Sequence, residues 1–326
     1  MISSQVLCAS LDYYVTRLAS KRLLSRAIRS FKIRTIALGL VSLPAFACSA
    51  GGAGDARTIT VFNAGAIARP LRVALDSFSR ADSLNVLQES AGSLETVRKI
   101  TELGRTPDVV ALADTALFSR FLAAAIAGPV VPLGRTRMVL AYTPKSRFSK
   151  ELSAANWYQI LTRPGVETGR SDPTLDPGGY RALFVMQLAQ RYYKVPGLAA
   201  KLEAAAPARN IRPKSADLVA LLQTGNLDYA WEYEAVALSS GLNYVRLPAE
   251  IDLGEAADAA SYATAKFVLP TRGSAPSMVL TGAPIVFGAA TLKAASHGTV
   301  GQRFITYMTS AAGRAVLANY HMEPIP

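Results

Sequence analysis

Histidine and cysteine are scarce in this chain of 326 residues. There are two of each, and no cysteine follows Cys48. The sequence beyond Cys48 therefore forms no internal disulfide and offers no thiolate as nucleophile or metal ligand. His297 and His321 fit no metal-ligand spacing. The chain has no Gly-x-Ser-x-Gly elbow, no Walker A loop and no Gly-x-Gly-x-x-Gly turn. Asp, Glu, Lys and Tyr remain for acid–base work, but no motif arranges them for it. The expectation is a protein that is not an enzyme and carries no cofactor. Its length suits two ordinary domains with real cores.

What is present begins with charge. Arg17, Lys21, Arg22, Arg26, Arg29, Lys32 and Arg34 face one acid, Asp12, before residue 36. An apolar run, IALGLVSLPAFA at 36–47, and a small-residue stretch follow. The run is too short for an ordinary membrane-spanning helix. Basic region, short apolar run and small-residue cleavage site read as an export signal over 1–47, and an overcalled translation start would account for its length. Ala45-Phe46-Ala47 fits a general signal peptidase. Cys48 directly after Ala47 fits a lipoprotein signal, and Cys48 is the expected lipidation site despite the imperfect Phe46. The protein is expected to be exported, periplasmic or at the cell surface, touching membrane only through that anchor. Half of the formal net charge of +12 falls in this leader. The basic balance therefore implies no nucleic-acid partner, while the remainder favours small anions.

From residue 57 onward, apolar strands alternate with amphipathic helices. RTITVFNAG (57–65), LNVLQES (84–90), PDVVALA (107–113) and RMVLAYT (137–143) read as strands. LRVALDSFSR (71–80) and SLETVRKITELG (93–104) read as helices. The alternation argues a mainly parallel, covered α/β sheet. A second unit holds the helices GYRALFVMQLAQRYY (179–193) and SADLVALLQTG (215–225) and the strand LDYAWEY (227–233). A patch at 253–263 reads as exposed loop. The second unit has too few strands for domains in series. The reading is a discontinuous fold, with 57–140 plus 266–326 as one lobe and 141–265 as the other.

Several loops share one chemistry. Gly65 and Ala66 follow the first strand. Ser93 follows the second, as the apparent cap of a helix. Asp176-Pro177-Gly178-Gly179 opens a helix, and Glu232 ends a strand. Ligands of open α/β sheets sit outside the carboxyl ends of strands, where helix N-termini and hydroxyls hold anions. Taken singly, each has a structural reading: a tight turn at Gly65, a cap at Ser93 and Asp176, a solvated strand end at Glu232.

The run TVFNAGAIARP, ESAGSLETVRKITELGRTPDVVALAD, NWYQILTRP, DPGGYRAL, LDYAWEYEAVA and GAPIVFGAATL resembles the substrate-binding proteins of tungstate/molybdate ABC importers, the archaeal-type branch above all. The resemblance covers roughly 57–326. It implies an α/β, two-lobed type II periplasmic-binding-protein fold with the ligand cleft between lobes. It implies a monomer that binds a small oxyanion and delivers it to an ABC permease and its ATPase. By this resemblance Gly65, Ala66, Ser93, Asp176, Pro177, Gly178 and Glu232 line the ligand. Asp176 and Glu232 would complete a six-coordinate environment around Mo or W itself, as hard oxygen donors on a hard centre. Ala66 stands where the family has Ser, Gly178 where it commonly has Cys, and Asn63 where it commonly has His. Two alternatives remain: a receptor for sulfate, phosphate or another oxyanion, and an enzyme on a similar scaffold.

Overall fold

The computed structural model describes residues 58–270 and 277–325. The expected export signal and Cys48 lie outside the described residues.

The strand β1 (Thr58–Ala64) is rich in β-branched residues and lies one strand in from the edge of one sheet. Helix α1 (Ala68–Asp82) follows it. Its Leu71, Ala74, Leu75 and Phe78 recur at helical spacing and are buried. Strands β2 (Asn85–Ala91) and β3 (Val109–Leu112) flank β1 in parallel, with α2 (Ser93–Thr101) between them in sequence. β4 (Val131–Arg135) follows.

The chain then enters a second sheet. It holds β5 (Met138–Tyr142), β6 (Thr168–Ser171), β7 (Ile211–Arg212), β8 (Tyr229–Tyr233) and β9 (Asn243–Arg246), in the order β7-β6-β8-β5-β9. Between these strands lie α3 (Trp157–Leu161), α4 (Pro177–Tyr192), α5 (Leu198–Ala204) and α6 (Ala216–Gln223). A two-stranded piece pairs β10 (Lys266–Leu269) with β11 (Met278–Thr281). β12 (Val286–Thr291) and β13 (Glu323–Pro324) return to the first sheet, whose order is β13-β4-β12-β3-β1-β2.

Both sheets are mixed. β12 runs antiparallel to β3 and β4, and β5 antiparallel to β8 and β9, while β6 is parallel to β7 and β8. The crossing falls between Arg135 and Met138. A boundary at 140 cuts through β5, whose Met138–Tyr142 pairs with β8 over its whole length. The hairpin from 266 belongs to neither large sheet. The 253–263 patch is not an exposed loop. Leu253 and Tyr262 are fully buried there, and the Tyr262 hydroxyl donates to the Ala249 carbonyl.

Helix α4 is buried almost all round, including Arg181. A helix so enclosed sits at the centre of its lobe, and it carries the DPGG turn at its start.

Candidate functional site: a cleft of buried carboxylates and hydroxyls

The first lobe's parallel strands β1, β2 and β3 release their carboxyl ends into the Gly65, Gly92–Ser93 and Ala113–Asp114 loops. The second lobe's parallel strands β6, β7 and β8 do the same at Ser171–Asp176, Lys214–Ser215 and Glu232. These loops meet. The amides of Leu94 and Glu95 at the start of α2 donate to the Leu175 carbonyl, at 3.0 and 3.2 Å. Arg181 donates to the Ala113 carbonyl at 2.7 Å, and the Tyr180 hydroxyl to Asp114 at 2.6 Å. A Cβ on Gly65 would lie 2.9 Å from the Lys214 stem, and one on Gly92 only 2.3 Å from the Leu175 carbonyl. Glycine at position 92 is what lets the backbones come so close.

Asp176 is the N-cap of α4, with Pro177 at the first helical position, as the capping reading requires. It is also more than a cap. One carboxylate oxygen accepts from the Gly178 amide at 2.9 Å, and the other reaches a different loop to accept from the Ser215 amide at 2.7 Å. Burial pushes its pKa up to about 6, against the pull of those two amides and of Arg181. Pro177, Gly178 and Gly179 are buried beside it.

Glu232 is no solvated strand end, because none of it is exposed. One oxygen accepts from the Tyr233 amide at 2.9 Å, and the other, Oε1, has no partner among the described residues. Burial raises its pKa to about 8, and the neighbouring charge of Asp176 adds to the shift. A carboxyl group so placed is mostly protonated at neutral pH.

Ser93 does not cap α2. Gly92 holds that position, and Ser93 is the first helical residue. Its fully buried hydroxyl oxygen accepts instead from the Ala113 amide at 3.0 Å. Gly65 and Ala66 are half-buried and border a cavity of about 170 Å³ whose wall also includes Lys214, Ala216 and Tyr320. Ser93, Asp176 and Glu232 lie outside that wall. Asn63 is buried and committed to the Ala64 carbonyl and the Ser90 hydroxyl.

Sequence reasoning overlooked the polar groups that knit the cleft. Arg181 donates to the Tyr233 hydroxyl at 2.9 Å and lies 3.8 Å from Asp114. Burial works against its charge, but Tyr233, Asp114 and Tyr180 outweigh that and hold the guanidinium above its ordinary pKa. The signal was available: Tyr180-Arg181 follows the DPGG turn directly. Ser171 and Ser215 were also missed, because a serine at or just past a strand end looks like any turn residue. Among the described residues, no group of three or more His, Cys, Asp and Glu gathers to hold a metal ion. No described helix is long and apolar enough to cross a membrane.

Two α/β lobes that meet through the loops at the carboxyl ends of their parallel strands define the bilobal fold of solute-binding proteins. The sulfate-binding protein SubI from Mycobacterium tuberculosis superposes with a TM-score of 0.60 at 12% identity, covering 82% of this chain and 87% of that one, a likeness of fold. The chain belongs to the bacterial extracellular solute-binding protein family, which it matches over residues 59–323. A solute-binding protein of Petrotoga mobilis is 39% identical over 262 residues, covering 79% of this chain and 81% of that one. A Thermococcus kodakarensis protein named molybdate/tungstate-binding protein WtpA is 32% identical over 293 residues, covering 82% of each.

Proposed function

We propose that the chain binds tungstate or molybdate between its lobes and hands it to an ABC permease driven by a separate ATPase, without turnover. The observation that carries this reading is the pair of buried carboxyl groups, Asp176 and Glu232, at carboxyl-end loops of one lobe. One of them keeps an oxygen free of any donor among the described residues. Buried acids are a poor way to hold sulfate, because charge repels charge. They suit an oxyanion whose central atom accepts further oxygen ligands, which Mo(VI) and W(VI) do and sulfur does not. In this reading Asp176 and Glu232 ligate the metal of the cargo, and Gly65, Ala66, Ser93, Pro177 and Gly178 surround its oxygens. The name of the Thermococcus kodakarensis relative supports the same cargo.

Once ionised, the carboxylates act in selection, attracting one class of anion and repelling the others. Closure of the lobes on the cargo is a hinge transition. Anchoring through a lipidated Cys48 would keep the loaded protein near its permease.

Calorimetric titration of the full chain with tungstate, molybdate, sulfate and phosphate tests the reading. Tight binding of the first two over the last two is expected. Sulfate or phosphate binding as tightly as tungstate would make the chain a different oxyanion receptor.

A further inference from the structure

We propose that the hydroxyls of Ser171 and Ser215 donate hydrogen bonds to the bound anion. The inference rests on the oxyanion reading and names donors that the resemblance does not supply. Four backbone donors around the cleft are already committed. The Leu94 and Glu95 amides are spent on Leu175, the Gly178 amide on one oxygen of Asp176, and the Ser215 amide on the other. An anion therefore needs side-chain donors.

Ser171 Oγ and Ser215 Oγ are such donors. Both side chains are almost wholly buried, and neither hydroxyl has a partner among the described residues. A buried hydroxyl without a partner is costly to a fold, so two in one place call for an occupant. Their placement points to the same spot. A Cβ on Gly178 would stand 2.9 Å from Ser171 Oγ, 3.2 Å from Ser215 Cβ and 3.6 Å from an oxygen of Asp176. The parallel register pairs Thr168 with Tyr229 and Gly169 with Ala230. Ser171 and Glu232 each lie two residues further along their strands, at matching positions of that register. Ser171, Ser215 and Asp176 thus surround Gly178, where any side chain would intrude. Thr168 carries a third buried unpartnered hydroxyl, but strand alternation turns it to the opposite face of β6.

The test uses the full chain and sodium tungstate. Ser171→Ala and Ser215→Ala are each titrated calorimetrically beside wild type and Thr168→Val, and all four are melted without ligand. Hydrogen bonds to a charged group contribute enough that each serine variant should bind tungstate at least tenfold more weakly. Thr168→Val should match wild type. Without ligand, both serine variants should melt at or above the wild-type temperature, because each loses an unsatisfied polar group. Wild-type binding with both serine variants within twofold of it would overturn the inference and leave the oxyanion reading standing. Serine variants that melt well below wild type would make the hydroxyls packing groups and overturn it as well. If wild type binds no oxyanion, the parent reading fails first.

Discussion

Replacing Glu232 with Gln should make the ligand-free protein more stable in base and worse at its task. The group is fully buried, with one oxygen satisfied by Tyr233 and the other by nothing among the described residues. Burial and nearby Asp176 raise its pKa from 4.5 to about 8. A carboxyl group whose folded pKa is raised keeps its proton in the fold after the unfolded chain has released it. Its contribution to stability therefore falls as pH rises from 4.5 to about 8 and is level on either side. At about 1.4 kcal/mol per unit, the full loss is roughly 5 kcal/mol. The Gln amide keeps an acceptor for Tyr233 and cannot ionise, but it buries an NH2 at a cost of about 1–3 kcal/mol. Below pH 5, where wild type keeps its proton, the variant should melt about 2–12 °C lower. By pH 9 it should melt at least about 5 °C above wild type, since each kcal/mol moves a unit of this size by about 2–4 °C. Melting both proteins from pH 5 to pH 9 gives the difference curve, in which groups common to both cancel. A difference that stays flat across that range would refute the buried, proton-holding state of Glu232. Tungstate affinity should fall at least tenfold in the same variant, the trade of stability against function expected of a site residue.

Asp176→Ala should cost roughly 2–4 kcal/mol in thermal or urea unfolding, because it orphans the Gly178 and Ser215 amides together. That exceeds an ordinary cap deletion. Its tungstate affinity should drop at least tenfold while sulfate affinity holds or rises. Gly92→Ala suits the backbone conformation of an N-cap, but its Cβ would sit 2.3 Å from the Leu175 carbonyl of the other lobe. Calorimetry should find tungstate binding weakened more than tenfold with melting shifted by only a few degrees. A large loss of stability would mean that the lobes cannot part. Tyr180→Phe removes the 2.6 Å bond to Asp114 across the cleft. Stopped-flow release of tungstate should quicken severalfold, with the on-rate little changed.

Much of the frame was legible because apolar periodicity and capping residues are local signals. β1, β2, α2 and β8 follow from their own residues, and the DPGG turn announces the start of α4. β4 was not legible, since VPLGR carries a proline and a glycine, and its pairing with β12 and β13 is a long-range fact. Leu253 and Tyr262 read as loop because their neighbours are small and polar, yet packing buries both. Within the site, Asp176 drew notice through its turn. Burial of Glu232 could not be read from LDYAWEY, where a charged residue at a strand end usually faces water. Ser171 and Ser215 left no trace at all, because nothing in a single sequence shows whether a hydroxyl will find a partner.

In the proposed site, carboxylate oxygens of this chain bind the metal atom of the cargo. Tungsten-edge X-ray absorption of the tungstate-loaded full chain tests it most directly. The spectrum should differ from that of free tetrahedral tungstate, with two further oxygen ligands, one of which is lost in each of the Asp176→Ala and Glu232→Gln variants. Bound tungsten with the unaltered four-oxygen spectrum of the free ion would contradict it.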